Sequence, residues 1–234
     1  MLFMVKPSMP EQQDRICEIQ DLGRIGFTEA VRVQNDLAAR RKQGLIPDQL
    51  LLAEHPHVVT LGRNARRENI LAAPEVMARA GIEVVETDRG GDVTYHGPGQ
   101  LVGYPIFDLR EWKRDVTAYV RGIEEAIIGA LSGFGLKGER VEGCTGVWVG
   151  GAKLAAIGVH ISRWVTTHGF ALNIDTDLSY FRYIVPCGLT KPVTSLRQLG
   201  SMASRGEMIA ALRDRIERQF QLRIVEPAAN KRSA

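Results

Sequence analysis

Cysteine is scarce in this chain, long apolar runs are missing, and neither sign of charge dominates. Only three cysteines occur, Cys17, Cys144 and Cys187, with no close pair and no CxxC spacing. An odd, scattered set argues against a disulfide framework and against a structural zinc site. Each thiol is then either a small buried apolar residue or a reactive group, and no metal or other cofactor is expected. Nothing approaches the ~20 consecutive apolar residues that cross a bilayer. The apolar stretch within Met1 to Pro10 is too short for a signal peptide. A cytoplasmic protein with no membrane partner is the expectation. A formal net charge of +3 is too small to argue for nucleic acid. The basic runs Arg40-Arg41-Lys42 and Arg63, Arg66, Arg67 read as solvated helix ends, or as a landing surface for an acidic protein.

What is present is an ordinary globular composition, 44% hydrophobic and 24% charged over 234 residues. Such a length buries a core without help, so a monomer is expected. Residues 1–234 are expected to form one catalytic domain, with a core at about 15–222 and loose tails at 1–11 and 227–234. Periodicity predicts helices at Thr28 to Arg41, Pro74 to Ala80 and Met208 to Phe220. The clearest helix follows Asp115, where Val116, Tyr119, Val120, Ile123, Ile127, Ala130 and Leu131 form a core-facing stripe ending at Gly133 and Gly135. Strands are predicted at Leu50 to Glu54, Val58 to Leu61, Ile82 to Thr87 and Gly169 to Ile174. Gly150-Gly151 between two β-rich runs predicts a hairpin, and period two places Lys153, Ala155, Ile157 and Val159 on one face of its second strand. Strand clusters interleaved with a few helices imply an α+β (α/β) fold, a mixed or antiparallel sheet flanked by helices.

The densest chemistry lies in Arg89-Gly-Gly-Asp-Val-Thr-Tyr-His-Gly-Pro-Gly-Gln100. Glycines let the backbone approach a ligand, while Arg89 and His96 supply a fixed cation and a titratable imidazole. The run reads as a loop feeding the apolar segment Leu101 to Leu109, either a structural turn or a site. Lys153 stands among Ala, Leu, Ile and Val. It either snorkels to solvent or is a partly buried ammonium held in a site, where it stabilises an anion or serves as a base. Cys187, in Ile184-Val-Pro-Cys-Gly-Leu189, is either a buried thiol or a nucleophile in an electropositive setting. His55-Pro-His57 lacks a third ligand at zinc spacing, and His160 and His168 make weaker candidates than His96.

Taken together, five segments resemble the bacterial octanoyltransferases, the lipoyl(octanoyl) transferases that begin protein-bound lipoate synthesis. They are Arg89 to Gln100, Gly146-Val-Trp-Val149, Lys153-Leu-Ala-Ala-Ile-Gly-Val159, His168-Gly-Phe-Ala-Leu-Asn-Ile174 and Pro186-Cys-Gly188. The resemblance runs in order from about Gln34 to Leu199. It implies a biotin/lipoate protein ligase fold and a reaction in which Cys187 takes octanoyl from octanoyl-acyl carrier protein as a thioester. A specific lysine of a lipoyl domain then receives it as an amide. The implied acceptors are the lipoyl domains of 2-oxoacid dehydrogenase acyltransferase subunits and the glycine cleavage H protein. By the same resemblance Lys153 activates Cys187, and the substrate contacts are Arg89, Gly90, Gly91, Asp92, Val93, Thr94, Tyr95 and His96, then Ala156, Ile157 and Gly158, then Gly169, Phe170 and Ala171. One position departs: the family usually carries glutamine after Arg-Gly-Gly, and here Asp92 leaves that role open.

Thioester exchange is near balance and thioester to amide is downhill, so the implied route needs no ATP, and a low-pKa thiol serves as both nucleophile and leaving group. The rival on the same fold is an ATP-dependent lipoate/octanoate protein ligase, which needs an essential lysine but no cysteine nucleophile. A binder without chemistry is disfavoured by Lys153 and Cys187 occurring together, and a biotin ligase by the lack of a Gly-Arg-Gly-Arg loop.

Overall fold

Burial on both faces of Asp48–Glu54 (β2) explains the architecture. Leu50 and Leu52 enter one apolar cluster while Leu51 and Ala53 enter another, so this strand separates two cores. In the computed structural model, which describes residues 15–185 and 191–227, the strand lies inside an eight-stranded mixed sheet. Arg15–Arg24 (β1) pairs in parallel with β2 on one side and with Leu222–Val225 (β11) on the other. From β2 the sheet continues antiparallel through Gln100–Ile106 (β6), Val165–Asn173 (β10), Ala152–Ser162 (β9), Cys144–Val149 (β8) and Glu139–Val141 (β7). Helices flank it, as the composition of elements predicts.

Val116–Ser132 (α3) and Arg205–Phe220 (α4) cover one face through Ile123, Ile127, Leu212, Ile216 and Phe220. Both start on side-chain caps. Asp115 accepts the Ala118 N–H at 2.9 Å, and Ser204 with Glu207 forms a reciprocal capping box. The opposite face carries Phe27–Lys42 (α1) and a second, three-stranded sheet. That sheet joins Val58–Leu61 (β3) in the centre to Glu83–Glu86 (β4) and Val93–His96 (β5), with Pro74–Arg79 (α2) nearby.

Four expectations need correction. Val93 to His96 is a paired strand and not part of a loop, because alternating Val93 and Tyr95 bury into the small sheet's own core. Strands β1, β7 and β11 were not anticipated; β7 and β11 are short, and β1 carries charge at its exposed end. Arg41 is no solvated helix end: it is 5% exposed, with Nε 2.9 Å from Asp48 and a terminal nitrogen 2.6 Å from Glu111. Asp48 also pairs with Arg15. Finally, strict alternation on β9 fails at a bulge opposite Val147 and Trp148, so Leu154 and Ala155 both enter the α3–α4 core.

Candidate active site

Between the two sheets lies a narrow slot whose floor is made of small residues. Cross-strand register pairs Ala171 with Ala156 and Gly169 with Gly158, giving a patch of Ala and Gly where β9 meets β10. Val102 and Tyr104 border it from β6, Thr94 and His96 close it from β5, and Phe27 enters from α1. The glycines serve chain packing as well as space. A Cβ on Gly169 would stand 2.1 Å from the Gly103 carbonyl oxygen, and one on Gly158 2.8 Å from that of Gly90.

Lys153 is buried, 7% exposed, which removes the snorkelling alternative. It lines a small cavity with Thr94, Gln100, Ala156, Ala171 and Asn173. Three of these residues also line the slot, so the two spaces are contiguous. The ammonium nitrogen lies 4.9 Å from the centroid of the Trp148 ring, and that of Lys191 lies 5.2 Å from the same ring. On its outer side Lys153 reaches an open groove bounded by Arg66, Gly90, Asp92 and Thr145 and, from α3, by Val116 and Val120. Val116, predicted to face the core, is 46% exposed here.

Cys187 lies outside the described residues. The chain on either side of it is tied to the site. Before it, the Val185 N–H donates to the Asn69 carbonyl at 2.7 Å. After it, the Lys153 N–H donates to the Pro192 carbonyl at 2.8 Å and the Thr194 N–H donates to the Lys153 carbonyl at 2.9 Å.

The polar side chains around the slot are held by directional bonds. The Thr194 carbonyl accepts from Asn173 Nδ2 at 3.0 Å, Asn173 Oδ1 accepts from Gln100 Nε2 at 2.9 Å, and Gln100 Oε1 lies 2.8 Å from His96 Nδ1. A backbone carbonyl only accepts, so each amide in the chain is oriented and His96 Nδ1 must donate. Burial pushes the His96 imidazole down to about 3, with His55 nearby acting in the same direction. His96 is therefore neutral, with Nε2 left as an acceptor. His168, at a positive φ of 56°, lines the slot and places Nε2 2.7 Å from Asp88 Oδ1. Burial pushes this imidazole down as well, although Asp88 opposes the shift.

Of the residues expected to touch substrate, Arg89, Gly91, Thr94, His96, Ala156, Ile157, Gly158, Gly169, Phe170 and Ala171 line the slot. Gly90 and Asp92 line the outer groove. Val93 and Tyr95 point the other way, as alternation on β5 requires, and Tyr95 stacks on Tyr180 with centroids 5.3 Å apart. Arg89 behaves as a clip: its terminal nitrogens donate to the Thr60, Gly90 and Asp92 carbonyls at 2.6, 3.0 and 2.7 Å, which holds the glycine turn against β3. Among the described residues, no group of three or more His, Cys, Asp or Glu is placed to hold a metal ion.

The model of the lipoyl protein ligase A/B catalytic domain matches residues 27–221. The chain belongs to that family. An octanoyltransferase from Solibacter usitatus is 63% identical to it over 194 residues, spanning 83% of this chain and 88% of the relative. One from Koribacter versatilis is 53% identical over 202 residues, spanning 83% and 80%. Among solved structures, a putative lipoate protein ligase from T. acidophilum with bound lipoic acid superposes with a TM-score of 0.73 at 18% identity, covering 92% of this chain and 90% of that one. A lipoate-protein ligase A bound with ATP gives 0.72 at 16%, covering 94% and 90%. At such identities the superpositions establish a shared fold.

Asp92 is a brace. Its Oδ1 accepts the N–H groups of Arg66 and Val93 at 3.0 and 2.7 Å, and its Oδ2 accepts from Asn69 Nδ2 at 2.5 Å. Asn69 is the residue whose carbonyl holds Val185, so Asp92 joins the glycine turn to the segment leading to Cys187. Phe27, Val102, Tyr104, Asn69 and Asn173 are site residues beyond those expected from sequence. A polar Asn173 ending an apolar strand was the one signal available.

Proposed function

We propose that this chain is an acyltransferase that moves an octanoyl group from the thioester of octanoyl-acyl carrier protein to a lysine of a lipoyl domain, with Cys187 as the intermediate carrier. The observation that carries the reading is the buried Lys153 at the junction of a small-residue slot and an open groove, bonded through its backbone to the segment that follows Cys187. The slot suits an unbranched alkyl chain, since each methylene removed from water contributes about 0.8 kcal/mol. The groove, open to solvent, suits the arms that bring thioester and amine to one point.

In the first step the Cys187 thiolate attacks the donor carbonyl, its C–S bond forms, and the donor's C–S bond breaks to release a thiol after protonation. In the second the acceptor lysine, as a neutral amine, attacks the enzyme thioester. The amide C–N bond forms, the Cys187 C–S bond breaks, and the proton lost by nitrogen returns to sulfur. Lys153 as an ammonium favours thiolate and gives its proton to the departing donor thiolate in the first step; as the resulting neutral amine it takes the proton from the acceptor nitrogen in the second and returns it to sulfur. His96, neutral and fixed, orients the slot and takes no charge. The acceptors are lipoyl domains of 2-oxoacid dehydrogenase acyltransferase subunits and the glycine cleavage H protein, and the setting is the cytoplasm. No helix among the described residues is long and apolar enough to cross a membrane.

Intact-protein mass spectrometry after mixing with octanoyl-acyl carrier protein, without ATP, tests the reading. The expected result is one octanoyl adduct on Cys187 that disappears when a lipoyl domain is added, and no adduct on Cys187→Ala. Acylation of the lipoyl domain only with ATP and free octanoate would assign the chain to ligase chemistry instead.

A further inference from the structure

At the end of the slot away from Lys153, the lining residues Tyr104 and Phe27 are held by contacts that the transfer chemistry does not use. Moving away from Lys153, register sets three levels along the sheet: Asn173 opposite Gln100, then Ala171 opposite Val102 and Ala156, then Gly169 opposite Gly158. Tyr104 follows Val102 by two residues, and so stands at the third level. Four residues of strand cover about 13 Å. An extended eight-carbon acyl chain measures about 9 Å from carbonyl to methyl by ordinary bond geometry. With the carbonyl beside Lys153, the methyl group therefore passes the second level and ends about 4 Å short of the third, at van der Waals contact with a side chain that stands there.

Tyr104 is 3% exposed, and its hydroxyl lies 2.6 Å from His55 Nε2. His55 Nδ1 lies 2.7 Å from the Ile25 carbonyl, which can only accept, so Nδ1 carries the proton and Nε2 accepts from the phenol. Ile25 itself is anchored, its N–H donating to the Glu54 carbonyl at 3.0 Å. Phe27, two residues on, packs edge-on to His55 with centroids 5.5 Å apart and stacks on His96 at 5.9 Å. The phenol ring is thereby held at both ends, by its own strand and by a chain of two hydrogen bonds to backbone.

We infer that Tyr104, held by His55 and backed by Phe27, is the stop that sets the length of acyl chain this enzyme accepts. The inference rests on the acyltransferase reading and deepens it. A hydrogen-bonded ring resists displacement where a plain alkyl wall would yield, so two extra methylenes meet a rigid surface.

The test compares octanoyl- and decanoyl-carrier donors with the wild-type chain, Tyr104→Leu and Phe27→Leu, reading kcat/KM for each. Tyr104→Leu is expected to raise the decanoyl-to-octanoyl ratio at least about tenfold, the usual scale for one or two methylenes in a pocket. Phe27→Leu, which reaches the same wall from α1, raises it in the same direction and decides the matter if Tyr104→Leu fails to fold. Tyr104→Phe keeps the ring and drops its tether, and moves the ratio less. A wild-type ratio in both folded leucine variants overturns the inference. A wild-type chain that transfers nothing from octanoyl donors overturns the function reading alone. Calorimetric binding of octanoate and decanoate then still reads the wall, by the same expected change in ratio.

Discussion

The two faces of the eight-stranded sheet are built on opposite plans. Under α3 and α4 the buried residues form one apolar cluster, from Cys17 and Leu50 to Phe220 and Ile224. On the other face, toward α1 and the small sheet, buried His55, His96, His168, Gln34, Gln100, Asn173 and Arg89 crowd around a floor of alanine and glycine. A buried polar group costs free energy unless it is bonded, and most of these bond to backbone or to each other. The first face stabilises the fold. The second gives up part of that stabilisation for a defined cavity, which is the pattern expected of a site.

Lys153 offers the sharpest test of that division. Lys153→Ala should lower acyl transfer by roughly 10²–10⁴-fold, the range for losing a positioned proton-transfer group. It should also slow alkylation of Cys187 near neutral pH while leaving the unfolding transition nearly in place. An unchanged alkylation rate against pH would remove Lys153 from the activation of Cys187.

The reverse test lies on the other face. Ile127 is fully buried on α3, in the same cluster as Leu212 and Phe220. Ile127→Ala is expected to cost about 2–5 kcal/mol in denaturant unfolding. The turnover of the protein that remains folded should stay near wild type. A loss of kcat at temperatures well below the transition would show that the two faces are coupled.

The same division decides what was readable from sequence. The α3–α4 face follows periodicity, because apolar side chains at three and four residue spacing have nowhere else to go. The floor was legible too, since Ala156 and Gly158 on a strand leave space by composition alone. The walls were hidden. Val93 to His96 carries glycines on both sides and so passes for loop, until β3 is there to pair with it. Tyr104 sits in an apolar strand between Gly103 and Pro105 and looks like core; only its register against β10 brings it to the end of the slot. The face of Lys153 was misassigned because a bulge is set by the partner strand, which local alternation cannot report. Arg41 followed the same rule, being buried by Asp48 on the next strand and by Asp108 and Glu111 from far along the chain.

The last comparison is between the faces as pH falls. The α3–α4 face is dominated by apolar side chains, whereas the slot face buries histidines whose neutral forms the fold selects. The His96 imidazole is pushed down to about 3 by burial, and those of His55 and His168 are shifted in the same direction. A base whose folded pKa is depressed binds fewer protons in the folded state, so stability falls as pH drops below the unfolded value. Between the unfolded histidine value of about 6.5 and pH 5, His96 alone removes about 2 kcal/mol. Wild type and a His96 variant carry the same carboxylates, so carboxylate titration cancels in their comparison. His96→Gln keeps an amide N–H for Gln100 and has nothing to titrate, so its stability should change by about 2 kcal/mol less between pH 7.5 and pH 5. Denaturant unfolding at the two pH values measures the difference. Parallel losses in the two proteins would mean that His96 is charged in the folded chain, and that the slot is wetter than its walls imply.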